Sequence, residues 1–570
     1  MNGTTLRISE EIHAAKYRES GEDFRDAMGR IAGALKDTDD HYHSFRRILL
    51  EQKFLPAGRV QAAAGAVRSV TPYNCFVSET IDDSMDGIME CAKGAATTMR
   101  LGGGIGFDYS PIRPANSRIK SLDTRATGPV SFMSINDSVC KTIASAGHRR
   151  GAMMAMLNVA HPDIEEFISA KRDETSLTQF NISVAVTDEF MKAVKEGTSF
   201  DLRWPVTGPD YTVYKTVDAR ALWDRIMRNT WDWAEPGVIF IDRINEMNNL
   251  WYCEDIRATN PCAEQPLPPN GACLLGSINL VKYIEQTEDR RYLNMSGMLD
   301  DLAHIVRAMD NVVDRAIYPL EAQKEEAFSK RRMGLGFTGV ANAVEALGYR
   351  YGSKECIDFL EIVFRAFTNE CYRISALLAK EKGAFPLYDP ELYLKSEFLK
   401  VLDEGVIELI KANGIRNSHL TSIAPTGTIS LTADNVSSGI EPVFSLGYDR
   451  TIQTADGPIV EHIDDYGYRT FGTIPHTAGD CTPDEHLNIL LVASKWMDSA
   501  VSKTCNIGDD VTWDEFKDVY MKAYDGGAKG CTTFRAAGKR YGILNAKPKS
   551  EEEQGAACYI DPETGTKTCE

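Results

Sequence analysis

The rhythm of apolar and polar positions changes along the chain. Residues 22 to 53 carry apolar side chains three and four apart, which predicts a helical N-terminal region running to about residue 54. Short apolar runs follow: NCFVS, GIGFDYS, AMMAMLNVA, NISVAV and FDLRW. They are separated by helix-patterned stretches, and that alternation predicts an α/β body over residues 55 to 545. Within residues 301 to 317, Leu302, Ile305, Val306, Met309, Val312, Val313 and Ile317 form one helical stripe. Residues 353 to 382 and 485 to 503 read as further scaffold helices. From residue 546 the chain turns polar, KPKSEEEQGAACYIDPETGTKTCE, which predicts a mobile tail over 546 to 570.

Composition narrows the function classes. The 570 residues, 43% of them apolar, can bury a sizeable core. With 63 basic against 82 acidic residues the net charge is −19, which disfavours a general nucleic-acid or anionic-membrane surface. Any phosphate must then be gripped locally, by backbone amides or a few arginines. The opening MNGTTLRISEEIHAAKYRES has no signal-type apolar core, and no apolar run approaches membrane-spanning length. A cytoplasmic enzyme is expected. Thirteen cysteines, an odd number with no CxxC pair, argue against a disulfide framework or a zinc ribbon, and no metal ligands are assigned.

The densest chemistry lies in NPCAEQPLPPNGACLLGSIN, residues 260 to 279. Asn260, Cys262 and Glu264 place an amide, a thiol and a carboxylate at alternate positions. In an extended segment all three would face one substrate. Pro261, Pro266, Pro268 and Pro269 predict a stiff loop in place of a long helix. Alone, such a cysteine is as well explained as a small buried hydrophobe.

This Asn-x-Cys-x-Glu stretch resembles the finger loop of ribonucleotide reductases, and further motifs follow the order of that family. TPYNCFVSETIDDSMDG resembles the segment bearing one redox cysteine, Cys75, with Asn74 beside it at the substrate; Cys273 matches the second cysteine. The resemblance implies that the fold brings the two together. MRLGGGIGFDYSPIRPANSRIK is no dinucleotide fingerprint, because FDYSPIRP cannot continue as a helix; in the family it precedes an effector loop. There Arg113 matches an effector-phosphate arginine, and Asp82 or Asp83 the acidic group at the effector sugar, the choice between them staying open. Arg149 and Arg150, in SAGHRRGAMMAMLNVAHPDIEEFI, match the loop that links effector to substrate. TSIAPTGTISLTADNVSSGIEP resembles the substrate-phosphate loop, with Thr426, Gly427, Thr428 and Ser430. Cys558 and Cys569 match tail cysteines that carry electrons from a thioredoxin- or glutaredoxin-like reductant to the Cys75–Cys273 disulfide.

The resemblance implies a ten-stranded α/β barrel of two antiparallel five-stranded halves around a central finger loop. It implies thiyl-radical reduction of ribonucleotides, with diphosphates the favoured substrate, under control of a deoxynucleotide effector. Cys262 would carry the radical, Glu264 would take the 3′-hydroxyl proton and Asn260 would hold the neighbouring oxygen. The stretch AKGCTTFRAAGKRYGIL, with no Tyr-Tyr pair anywhere in the chain, resembles the adenosylcobalamin-dependent branch. Only a short segment precedes FLPAGR, so no ATP cone is expected. Two rivals stand beside this reading: a catalytic subunit served by a metal-containing radical generator, and a non-catalytic nucleotide-binding protein. Monomer and homodimer both remain open.

Overall fold

The computed structural model describes residues 3–143, 152–173, 175–454, 457–535, 538, 559–560 and 567–568. Arg149, Arg150, Cys558 and Cys569 lie outside them. Three helices open the chain: Arg7–Tyr17, Phe24–Leu35 and Asp39–Leu50. The second begins with an Asp23–Asp26 capping box and the third with Thr38 accepting from the His41 amide, which satisfies amides left over at each helix start. Their apolar faces share one hydrophobic core with helices Met295–Arg315 and Lys354–Lys382.

The body is mixed α/β. One sheet has eight strands, in the order Ala272–Cys273, Cys75–Val77, Gly104–Asp108, Met153–Asn158, Phe180–Val186, Gly237–Phe240, Gly530–Arg535 and Thr504–Ile507. The five from Cys75–Val77 to Gly237–Phe240 are parallel. Ala272–Cys273 and Gly530–Arg535 flank them antiparallel, and Thr504–Ile507 runs parallel to Gly530–Arg535. A three-stranded sheet sets Leu275–Asn279 between Phe54–Pro56 and Gly334–Thr338. Isolated parallel bridges, Leu335 to Thr421 and Ile423 to Val501, continue from its edge. No closed ten-stranded ladder is drawn among the described residues.

The continuous apolar runs of the sequence are strands covered on both faces, as parallel sheets require. Met153, Ala155 and Leu157 pack outward in the core shared with helices, whereas Met154 and Met156 face an inner cluster with Ala258, Leu267 and Cys273. The period-two alternation thus separates a helix side from an inner side. On the neighbouring strand Ile105 and Phe107 take the outer side, which leaves Gly104 and Gly106 on the inner one.

Three expectations are corrected. The helix expected over 301 to 317 ends at Arg315, so Ile317 falls beyond the stripe and is exposed. The helix over 485 to 503 stops at Trp496, because Met497 is extended and the chain continues into the bridge at Val501. FDLRW belongs to a separate hairpin, Ser199–Trp204 with Thr212–Asp218. No described helix is long and apolar enough to cross a membrane.

Candidate active site

The stretch singled out in the sequence is a hairpin inside the inner cluster. Ala258–Thr259 pairs with Pro266–Leu267, and residues 260 to 265 form its tip. A glycine at 106 is required here, because a Cβ at that position would lie 1.8 Å from the Thr259 carbonyl oxygen. The tip is tied from both sides. The Asn181 side-chain amide donates to the Pro261 carbonyl at 3.1 Å, while the Ser422 hydroxyl and the Ala500 amide donate to the Glu264 carbonyl at 2.7 and 3.0 Å. Lys529, whose pKa burial pushes down to about 8, donates to the carbonyls of Met497, Asp498 and Ser499. It thereby joins this clamp to the strand Gly530–Arg535.

The tip is a turn, contrary to the extended geometry expected from alternation. Ala263 has φ of +67° and donates to the Asn260 carbonyl at 3.0 Å, and the Asn260 Oδ1 accepts from the Gln265 amide at 2.9 Å. The side chains consequently diverge. Cys262 and Glu264 line a cavity of about 330 Å³, whereas Asn260 points its amide toward the Cys273 sulfur, 3.9 Å away. All three are buried.

Cys75 lines the same cavity, as does Asn74. Cys75 and Cys273, remote in sequence, are direct cross-strand partners. Antiparallel partners have Cα atoms roughly 4.5–5.5 Å apart, inside the range a disulfide spans. Neither is in a disulfide here, while Cys262 is disulfide-bonded.

Opposite the tip, Thr426, Gly427 and Thr428 form the cavity wall. Thr426 is left-handed, with φ of +55°, and its hydroxyl accepts from the Gly439 amide at 2.7 Å. It therefore shapes the turn, leaving the amides at the start of helix Gly427–Thr432 toward the cavity. Ser430 is buried behind the turn and donates to the Gly427 carbonyl at 3.0 Å. In the tail, Tyr559–Ile560 pairs with Lys567–Thr568, and the latter strand meets helix Gly427–Thr432.

Sequence reasoning missed four cavity residues: Lys16, Tyr17, Arg59 and Arg68. Arg59 closes the FLPAGR motif, and Gly102, at φ of +94°, makes room for its guanidinium, since a Cβ there would come within 2.6 Å. Lys16 and Tyr17 come from the first helix, whose pattern carries no chemical signal. That helix is anchored by a neutral histidine: the Arg18 Nε donates to His13 Nδ1 at 3.0 Å, and His13 Nε2 meets the Gln61 oxygen at 3.2 Å. Burial, followed by the charge of Arg18, pushes the His13 pKa down to about 4.

Of the effector candidates, Asp82, Asp83 and Arg113 are described, beside Ile81 and Ile112 of the core on the helix side of the sheet. Arg113 is bound to Asp83, with its Nε 2.7 Å and its backbone amide 3.1 Å from the carboxylate. Asp82 instead accepts from Ser84, the cap of helix Met85–Arg100, at 2.5 Å.

The profile described as ribonucleotide reductase, barrel domain, matches residues 73–534. The chain belongs to the ribonucleotide reductases. This reductase is 34% identical to the vitamin B12-dependent ribonucleoside-diphosphate reductase of Thermoplasma acidophilum, over 93% of its own length and 70% of that protein's. It is 32% identical to the protein of the same description from Mycobacterium tuberculosis, over 96% and 80% of the two chains. Likeness to the ribonucleoside-diphosphate reductase subunit alpha of Chlamydia muridarum is lower, 26% over 74% of the reductase and 44% of that subunit.

Proposed function

We propose that the protein reduces ribonucleoside diphosphates to 2′-deoxyribonucleotides with adenosylcobalamin as its radical source. The observation that carries this is the meeting of Cys262, Glu264 and Cys75 on one cavity, with Cys273 in register behind Cys75. The cavity, about 330 Å³, lies within the range of small-molecule and cofactor sites. Amides of the 426–428 turn receive the phosphates, and Lys16, Arg59 and Arg68 supply positive charge around the same space.

Cys262 acts as a thiol, so a dithiol reductant opens its disulfide by exchange, itself becoming a disulfide, before a first turnover. As a thiyl it takes the 3′-hydrogen, and Glu264 takes the 3′-hydroxyl proton. Cys75 then protonates the departing 2′-hydroxyl, which leaves as water. Cys75 and Cys273 give up two electrons and two protons, one proton to the leaving water and one hydrogen to C2′, and close to a disulfide. Cys262 returns the hydrogen atom to C3′ and Glu264 returns the proton to the 3′-oxygen, so a C–OH bond becomes C–H as two thiols are oxidised. Asn260 positions the Cys273 thiol and the turn that carries Cys262. The tail cysteines Cys558 and Cys569 then return electrons from a thioredoxin- or glutaredoxin-like protein. Asp82, Asp83 and Arg113, with Arg149 and Arg150, receive the deoxynucleotide effector.

When bound, adenosylcobalamin would supply the one-electron oxidising radical chemistry that makes Cys262 a thiyl. The residues present fit such a group better than a long-range relay. On strand Gly530–Arg535, Cys531 and Thr533 are buried outward, and the half-buried inner positions are Gly530, Thr532 and Phe534. These leave room at the inner face, and none is an oxidisable tyrosine; we assign Thr532 and Phe534 to the cofactor's neighbourhood. The relatives named as vitamin B12-dependent support the same choice.

The strand pairings support the ten-stranded barrel as well. Five parallel strands run from Cys75–Val77 to Gly237–Phe240. Five more run through residues 272–279, Gly334–Thr338, 421–423, 501–507 and Gly530–Arg535, and the halves meet antiparallel at both seams.

The test is an anaerobic assay of the purified chain with a dithiol and each ribonucleotide, with and without adenosylcobalamin. Deoxyribonucleotide is expected only with the cofactor. Turnover that instead requires an iron- or manganese-loaded partner protein would overturn the cofactor assignment.

A further inference from the structure

A second cluster of ligating side chains lies outside the finger-loop site. His476, Cys481 and Glu485 offer ligand atoms that all lie within 4.8 Å of one another. A turn brings them together: the Thr477 amide and hydroxyl both bond Asp480, and the Cys481 amide donates to the Thr477 carbonyl at 3.2 Å. Glu485 follows on the first turn of helix Pro483–Trp496. Its Oε1 is fixed by Arg350 at 2.6 Å, and its Oε2 is 3.3 Å from His476 Nε2.

That last separation is the edge of a tetrahedral zinc site, about 3.3 Å for zinc bonds to nitrogen and oxygen of roughly 2.0–2.1 Å. The sulfur must come in by at most about 1.2 Å to reach its own tetrahedral edge of about 3.6 Å. A rotation about the Cys481 side chain supplies such a shift. Glu485 also accepts from the Thr482 amide in a capping box, 2.9 Å away, and this alone accounts for its position without a metal.

An independent observation points to a missing ligand. Glu345, on helix Val340–Ala346, accepts from the His476 amide at 2.8 Å through Oε1. Its Oε2 is buried with no hydrogen-bond partner among the described residues, and the residue is only 8% exposed. Leaving a buried polar group unpaired costs about 1–3 kcal/mol, more when it is charged. The bond to the His476 amide sets this carboxylate beside the cluster, and a cation held there is the kind of partner its second oxygen lacks.

We propose that His476, Cys481 and Glu485 bind one divalent transition metal of the zinc class, with Glu345 as the fourth ligand or its direct support. One thiolate, one imidazole and one or two carboxylates form the mixed set that zinc accepts. The metal would staple helix Val340–Ala346, the 476–481 turn and helix Pro483–Trp496 together. The role is structural.

The full chain, purified without cobalamin, would be analysed for metal by mass spectrometry after dialysis against zinc, then reloaded with cobalt(II). Wild type should hold about one zinc per chain, and its cobalt form should show a thiolate-to-cobalt charge-transfer absorption. Both signals should vanish in Cys481→Ser and His476→Ala, and Cys253→Ser, at an exposed free thiol, should keep them. Glu345→Gln, a milder change, should weaken zinc binding by about 10–100-fold. Wild type binding no stoichiometric zinc, or binding it as tightly in Cys481→Ser as in wild type, would overturn the site; the first result needs no variant to fold.

Discussion

Replacing Gly106 by alanine tests whether the finger loop is held where the chemistry needs it. The new methyl carbon would sit 1.8 Å from the Thr259 carbonyl oxygen. A tolerable contact is about 3.2 Å, so loop or strand must yield by about 1.4 Å. The strand cannot retreat easily, because its neighbours Ile105 and Phe107 are almost fully buried on the far side. The loop must move, against the bonds from Asn181, Ser422 and Ala500. Overpacking of this kind costs about 1–3 kcal/mol. Displacing a reactive group by 1 Å costs about a hundredfold in rate, so kcat/KM should fall by about 10² or more while the protein still folds. Gly405→Ala is the control, since nothing lies within 4 Å of its added Cβ. It should leave activity unchanged. The readouts are anaerobic initial rates with adenosylcobalamin and a thermal melt. A folded Gly106→Ala enzyme within about threefold of wild-type kcat/KM would refute the idea that Gly106 seats the loop.

Two further outcomes are expected. Cys262→Ser should abolish deoxyribonucleotide formation, with a melt unchanged when both proteins are held reduced by a dithiol, because a hydroxyl cannot carry a radical of suitable energy; product at even a few per cent of the wild-type rate would remove Cys262 from that role. His13 should make the N-terminal helix acid-sensitive. Its folded pKa, about 4, lies below the unfolded value of 6.5, so the unfolded chain takes up the proton first and the stabilisation present above pH 6.5 is lost as pH falls toward 4. The ceiling is roughly 3 kcal/mol. Unfolding midpoints at pH 7 and pH 5 should separate less in His13→Gln than in wild type, and equal separations would show that His13 does not titrate on unfolding.

The site was more legible in the sequence than the geometry that builds it. Asn260, Cys262 and Glu264 could be named because the stretch resembles a known finger loop, not because the pattern alone is decisive. Their directions could not be read, because a positive φ at Ala263 leaves no mark on an alanine. The run GGGIGF was legible as no dinucleotide loop, yet its purpose depends on Thr259, which only the fold brings to Gly106. Strands such as AMMAMLNVA were recognisable as apolar runs, but apolar residues on both faces hide which side is inner. Ile317 and residues 497 to 503 were over-read as helix, since periodicity continues past a boundary that backbone pairing decides. Lys16, Arg68 and the His476–Cys481–Glu485 cluster had no local signal, being assembled from separate segments or from spacings no motif describes.

The pairing of Cys75 with Cys273 shows how segments without chemistry of their own set the geometry of a proposed redox pair. A slip of one residue in strand pairing turns every side chain to the opposite face. Cys273 can therefore meet Cys75 only while residues 271 to 279 keep their register. That register is fixed beyond the pair, where the same stretch continues as Leu275–Asn279 against Phe54–Pro56. Phe54 is fully buried, and its ring covers Gly276 so closely that a Cβ there would come within 2.3 Å. Neither a longer residue at 276 nor a shifted pairing fits beneath that ring. On the other side Gly104 leaves space for the Cys75 sulfur, which an added Cβ would approach to 3.2 Å. FLPAGR thus contributes twice, through Arg59 at the cavity and through Phe54 as the lock that keeps two distant thiols opposite each other. Its place just before the body thus shapes the candidate site and is not merely a connection from the N-terminal helices.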